Sequence, residues 1–211
     1  MPSETEPPER NLKQIRTLLW ILVALTAVGA AALLLIPRLT EAKPAVVTTM
    51  TAPANLGGPF TLTDADGKRF SSAALAGKPY AMFFGFTRCG DVCPITLGRL
   101  VKLRQQAGGA DKFAIVFVTI DPEHDGPKEV GQFATAFHSP IIGLTGSPAE
   151  IDQVKKQFRI FGQPSRHPMP GMEMEHTATV LLFGADGKLA ATIAPDEPDR
   201  TALDKLRRVT A

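Results

Sequence analysis

Apolar runs rich in aromatic and β-branched residues recur at 80–86, 113–120, 141–144 and 177–183. Such short, uninterrupted runs predict strands buried on both faces. Residues 60–63 and 68–70 flank Asp64-Ala65-Asp66-Gly67, which predicts a hairpin because Asp and Gly supply turn conformations. The same turn chemistry returns at Ala185-Asp186-Gly187-Lys188. Between the runs lie stretches with helical character at 94–106, 127–137 and 148–158, and a last one at 200–209. Pro94, Pro127 and Pro148 are each expected at the first helical position, and Ser147-Pro148-Ala149-Glu150 reads as a capping box. Strand and helix in alternation predict a layered α/β domain with crossover helices on a mixed sheet, spanning residues 56–211.

The amino-terminal part has a different pattern. Residues 18–36 read LLWILVALTAVGAAALLLI, without a charge. As a helix this segment is roughly 28 Å long, close to the hydrocarbon thickness of a bilayer. It is expected to be one transmembrane helix that is kept as an anchor, preceded by a short cytoplasmic segment at 1–17. Arg10, Lys13 and Arg16 before the span outweigh Arg38 and Lys43 after it, which places the amino terminus on the cytoplasmic side. Residues 37–55 are rich in Pro, Thr and Ala without periodicity and read as a flexible tether. Three Glu within the first seventeen residues are too acidic for a transit peptide. The expected location is therefore a bacterial inner membrane, with the domain facing the periplasm, rather than a mitochondrial inner membrane.

Charge narrows the range of partners. Lys and Arg total 23 against 21 Asp and Glu, so the net charge of +2 gives no broad field for gripping a polyanion. Nucleic acid is not expected as a partner. The two cysteines are too few for a disulfide scaffold. They stand four apart, which leaves metal binding, redox chemistry or one small bridge.

The chemistry concentrates in Phe84-Gly85-Phe86-Thr87-Arg88-Cys89-Gly90-Asp91-Val92-Cys93-Pro94. A strand ends at Phe86, a turn carries Cys89, and Cys93 is expected at the cap of a helix beginning at Pro94. Amide dipoles at that helix start, with Arg88 alongside, favour a thiolate. Thiolates serve metals and disulfides alike. Of His124, His138, His167 and His176, the last stands at the mouth of the run 177–183, expected to neighbour the strand that leads into Cys89. Two thiolates and one imidazole make a soft trigonal set suited to copper, with Asp91 and Arg88 tuning its charge, whereas structural zinc takes four ligands. Asp121 is read either as support for the site from a neighbouring strand end or as a cap for the helix near Pro127.

These residues resemble the SCO/SenC family of copper chaperones. The string from Phe84 to Pro94 is similar to the family's FGFT-x-C-x-D-V-C-P motif, and Val118-Thr119-Ile120-Asp121-Pro122-Glu123 to its VSIDPE segment. His176, just before an apolar run and an Asp-Gly turn, matches the family's third ligand. The resemblance implies a thioredoxin-like domain, a mixed sheet flanked by helices, binding one copper, Cu(I) or Cu(II), per chain through Cys89, Cys93 and His176. It also implies delivery to the binuclear copper site of cytochrome c oxidase, so that oxidase subunit is the expected partner, with an upstream copper donor or a thioredoxin-like reductant besides. Gly90 stands where the family usually has Pro, and His124 where Arg is common.

Two features extend beyond that pattern. Residues 167–176 (HPMPGMEMEH) hold Met169, Met172 and Met174, thioethers suited to secondary Cu(I) contacts, in a loop that Pro and Gly are expected to keep irregular. The same two thiols would also serve a membrane-tethered thiol-disulfide reductase that keeps acceptor cysteines reduced, with Cys89 and Cys93 as a reversible disulfide. A peroxiredoxin-type peroxidase is disfavoured, since Phe86 rather than Thr stands three residues before Cys89. As a carrier without turnover the chain is not expected to be an enzyme.

Overall fold

The structure, a computed structural model, describes residues 15–27, 29, 56–167 and 169–211. The chain divides into two units, Met1–Met50 and Thr51–Ala211. In the first, residues 15–27 are helical and exposed. Thr26 turns its hydroxyl back onto the carbonyls of Leu22 and Val23, so its one polar side-chain group is satisfied within the helix. Among the described residues no helix is long and apolar enough to cross a membrane. Most of the expected span beyond residue 27, and the tether at 37–55, lie outside the described residues.

The second unit is an α/β domain. Its strands are β1 (Thr61–Asp64), β2 (Arg69–Ser71), β3 (Tyr80–Gly85), β4 (Ala114–Thr119), β5 (Ile142–Thr145), β6 (Gly162–Pro164), β7 (Met174–His176), β8 (Val180–Phe183) and β9 (Leu189–Ile193). Its helices are α1 (Val92–Gln106), α2 (Pro127–Thr135), α3 (Pro148–Gln157) and α4 (Asp199–Val209), with a 3-10 turn at Ser72–Leu75. Seven strands form one mixed sheet in the order β2-β1-β5-β4-β3-β8-β9, while β6 and β7 pair separately. The central trio β5-β4-β3 is parallel, and β1 and β8 add antiparallel on either side.

The reason for this order is visible in the residues. β3 is buried throughout and β4 nearly so, as the apolar runs require of strands covered on both faces. Tyr80 and Phe183 are register partners across β3 and β8, and their rings stack at 4.6 Å. Aromatics fill the interior, among them Phe83, Phe84, Phe86, Phe117 and Phe158. The capping box forms at Ser147 and Glu150, and Pro127 and Pro148 occupy the first helical turn as expected. The α1 start differs: the helix begins at Val92 with Asp91 as its cap, so Pro94 is the third helical residue. Pro is still tolerated there because that amide would have no intrahelical acceptor. The 177–183 run also differs, since only Val180–Phe183 is strand in the main sheet. Residues 174–176 are not irregular but pair as β7 with β6.

Candidate metal centre

The two cysteines sit where β3 hands over to α1. β3 delivers the chain to Phe86, and Thr87 is then pinned from two sides by Asp125. That fully buried carboxylate accepts the Thr87 amide at 2.9 Å, the Thr87 hydroxyl at 2.5 Å and the Thr119 hydroxyl at 2.6 Å. The turn after β3 is thereby tied to the end of β4. Asp91 then accepts the Val92 amide and starts the helix. Asp91 thus orders the helix start.

Cys93, in the first turn of α1, is fully buried, and Cys89 is half-buried. The Cys93 amide donates to Cys89 Sγ at 3.3 Å, which puts the Cys89 sulfur on the positive end of the helix. Gly85 makes room for this arrangement, since a Cβ there would stand 2.7 Å from Cys93 Sγ. The Cys89 thiol is lowered to about 4, chiefly by the hydrogen bond from Cys93, then by His176 and the backbone amides of Cys93 and Asp91, against the opposing effect of burial. Cys93 is pushed up, first by that same hydrogen bond to Cys89 and then by burial. The pair therefore holds one proton, on Cys93, and one negative charge, on Cys89.

His176, the last residue of β7, reaches the pair from 83 positions further along the chain. Its Nε2 lies 3.7 Å from Cys93 Sγ. Its Nδ1 faces the Thr177 carbonyl at 3.1 Å, a contact that holds the ring in place. Phe83 and Phe86 meet the imidazole edge to face at 6.1 and 5.9 Å and fix its plane. The donor atoms of Cys89, Cys93 and His176 all lie within 4.8 Å of one another, a spacing that one ion can bridge.

The other expected residues fall elsewhere. Arg88 is engaged by Asp121 at 2.8 Å. Asp121 also holds His124 at 2.9 Å, and α2 starts at Gly126 without a side-chain cap, so the capping role for Asp121 does not hold. His138 and His167 are exposed and stand apart from the cysteines. Met174 packs against the core, whereas Met169 and Met172 are exposed. Sequence reasoning missed Asp125, which reads as one more polar residue in a loop before Gly126-Pro127. It also missed the contact in which the Gly90 amide donates to the Gly171 carbonyl at 3.0 Å.

Comparison with known proteins agrees with this geometry. The family model SCO1/SenC matches residues 48–211. The mitochondrial protein SCO2 of Saccharomyces cerevisiae is 31% identical over 156 residues, covering 72% of this chain and 52% of that one. This chain thus spans about half the length of that curated relative. The structure of Bradyrhizobium japonicum ScoI with copper bound is 34% identical and superposes with a TM-score of 0.65, over 73% of this chain and 99% of that one. BsSco, described as a member of the Sco family of cytochrome c oxidase assembly proteins with a disulfide switch, is 25% identical with a TM-score of 0.58, over 75% and 95%. The chain belongs to the SCO1/SenC family.

Proposed function

We propose that this chain is a membrane-anchored copper chaperone that takes one copper, as Cu(I) or Cu(II), on Cys89, Cys93 and His176 and delivers it to the binuclear copper site of cytochrome c oxidase. The observation that carries the reading is the convergence of two sulfurs and a pre-oriented imidazole within 4.8 Å. Soft donors in a three-coordinate arrangement suit copper and leave a face open for ligand exchange with an acceptor. The copper-bound Bradyrhizobium relative supports the same assignment. Arg88, Asp121 and Asp91 act as positioning residues around the thiols, and residues 18–36 anchor the domain outside the cytosol.

The test is anaerobic copper titration of the reduced full chain in detergent against a competing chelator, beside His176→Ala. One tightly held copper per chain, weakened by at least about 10-fold in the variant, is expected, since removing a ligand outright costs no less than removing one of its outer partners. Copper that is absent or indifferent to His176 rejects the reading.

A second reading, a thiol-disulfide reductase for acceptor cysteines, draws on the asymmetry of the pair. A half-buried thiolate at Cys89 backed by a buried thiol at Cys93 is the arrangement of an attacking and a resolving cysteine. On that reading His176→Ala retains disulfide reduction. The two readings join in one cycle, because copper loading needs both thiols reduced.

A further inference from the structure

The loop between β6 and β7 holds two sulfurs that the three-ligand site does not use. Met169 and Met172 are 55% and 57% exposed, unlike Met174, which packs against the core. The Met172 amide donates to the Met169 carbonyl at 2.8 Å, closing a β-turn with Pro170 and Gly171 in the middle. Pro holds a negative φ and Gly171 has φ +81°, which together make a type II turn. Such a turn brings the α-carbons of its end residues within about 7 Å, so both thioethers can close on one ion.

The turn is fastened to the cysteine loop. The Gly90 amide, between the two cysteines, donates to the Gly171 carbonyl at 3.0 Å. The backbones meet so closely that a Cβ on Gly171 would lie 2.7 Å from Gly90 Cα. Beneath the turn, Glu173 Oε1 accepts the Gly171 amide at 3.1 Å, and Glu173 Oε2 is buried with no hydrogen-bond partner among the described residues. The unpartnered Glu173 oxygen beside the turn and the Cys89 sulfur beyond it offer a cation further donors.

We infer that Met169 and Met172 form an entry site for Cu(I), a soft two-thioether perch from which the ion passes to Cys89 and Cys93. This rests on the copper-carrying reading above. In the transfer, each copper–thioether bond breaks as a copper–thiolate bond forms, and copper stays Cu(I) throughout. Any cysteine that binds as the thiol releases its proton to water as its copper–thiolate bond forms. Thioethers carry no charge and bind more weakly than thiolates, so the ion is driven onward.

Leucine keeps the volume and apolar character of methionine and removes only the sulfur. In the reduced full chain in detergent, Met169→Leu with Met172→Leu is expected to slow copper uptake from Cu(I)–glutathione about tenfold, with equilibrium affinity at the tight site changed less than about twofold. Uptake at the wild-type rate overturns the proposal and leaves the pair as ordinary apolar surface. A loss of equilibrium affinity matching the loss of rate also overturns it, since the sulfurs would then belong to the tight site. A second measurement is independent of that site. In Cys89→Ser with Cys93→Ser, Ag(I), a redox-inert substitute for Cu(I), is titrated while methionine methyl resonances are followed. Joint shifts of Met169 and Met172, with Met174 unmoved, uphold the perch even if wild type holds no tight copper and the chaperone reading fails. No shift at either residue overturns it.

Discussion

A thiol held at about 4 is ionised throughout the neutral range, and at Cys89 the causes are separable. Cys93 contributes most by donating its hydrogen, and His176 and two backbone amides add to it. Because the pKa is lowered, the reactive thiolate is present above about 4 and is lost as the pH falls through that value. Alkylation of the reduced protein by iodoacetamide, located by mass spectrometry, should therefore modify Cys89 first, at a rate nearly flat from neutral pH down to the edge of that transition. Cys93→Ala should move the transition toward ordinary thiol values and slow alkylation in mildly acidic buffer. His176→Ala should move it less, in keeping with its smaller contribution. A wild-type profile that rises only in alkaline buffer would reject the shared-proton description. The spacing of the cysteines and the apolar run before them made this pair legible in the sequence, because strand-to-helix turns are local. What the sequence did not disclose is the division of labour. Burial of Cys93 depends on Gly85, whose missing Cβ matters only once α1 is packed over β3.

Between elements, Asp125 is the joint that fixes where the cysteine turn leaves the sheet. It links the exit of β3 to the end of β4 through Thr87 and Thr119, while its own backbone carbonyl accepts the Thr145 hydroxyl from β5 at 2.6 Å. Three parallel strands are thus tied at one end by a single residue. Asp125→Ala strands the part-buried Thr87 amide and frees two hydroxyls, and should destabilise the domain by about 2–4 kcal/mol, read as a lowered urea midpoint at unchanged slope. Copper affinity should fall along with it because the Cys89 turn loses its support, whereas a variant with wild-type stability would refute the joint. The elements themselves were legible to different degrees. Long apolar runs announced β3 and β4, and the Asp-Gly turn announced the β1-β2 hairpin, since burial and turn chemistry act within a few residues. β9 escaped because LAATI is half exposed, and β7 escaped because Met-Glu-His carries no strand signature. Its pairing with β6 is a long-range event that a Met, Pro and Gly-rich segment does not advertise. Asp125 was hidden for a related reason, since nothing local separates a buried joint from a solvated loop acid.

At the scale of the molecule, the three donors come from segments that only the complete fold assembles. Cys89 and Cys93 flank one turn, but Cys93 and His176 are 83 residues apart, and β4, β5, α2 and α3 all lie between them in sequence. An ion held by all three therefore binds the folded domain and has no equivalent site in the unfolded chain, so its binding free energy adds to stability. At free copper about a thousandfold above the dissociation constant the gain is about 4 kcal/mol. For a domain of this size that raises the melting temperature by roughly 8–16 °C. A disulfide between Cys89 and Cys93 also stabilises, but it closes a very short loop and makes no use of His176. The two states of the pair can be told apart by one substitution. In calorimetry of the full chain, His176→Ala should remove much of the copper-induced rise and leave the oxidation-induced change as in wild type. Equal loss of both would mean that His176 supports the fold rather than the metal, and loss of neither would return the site to thiol chemistry alone.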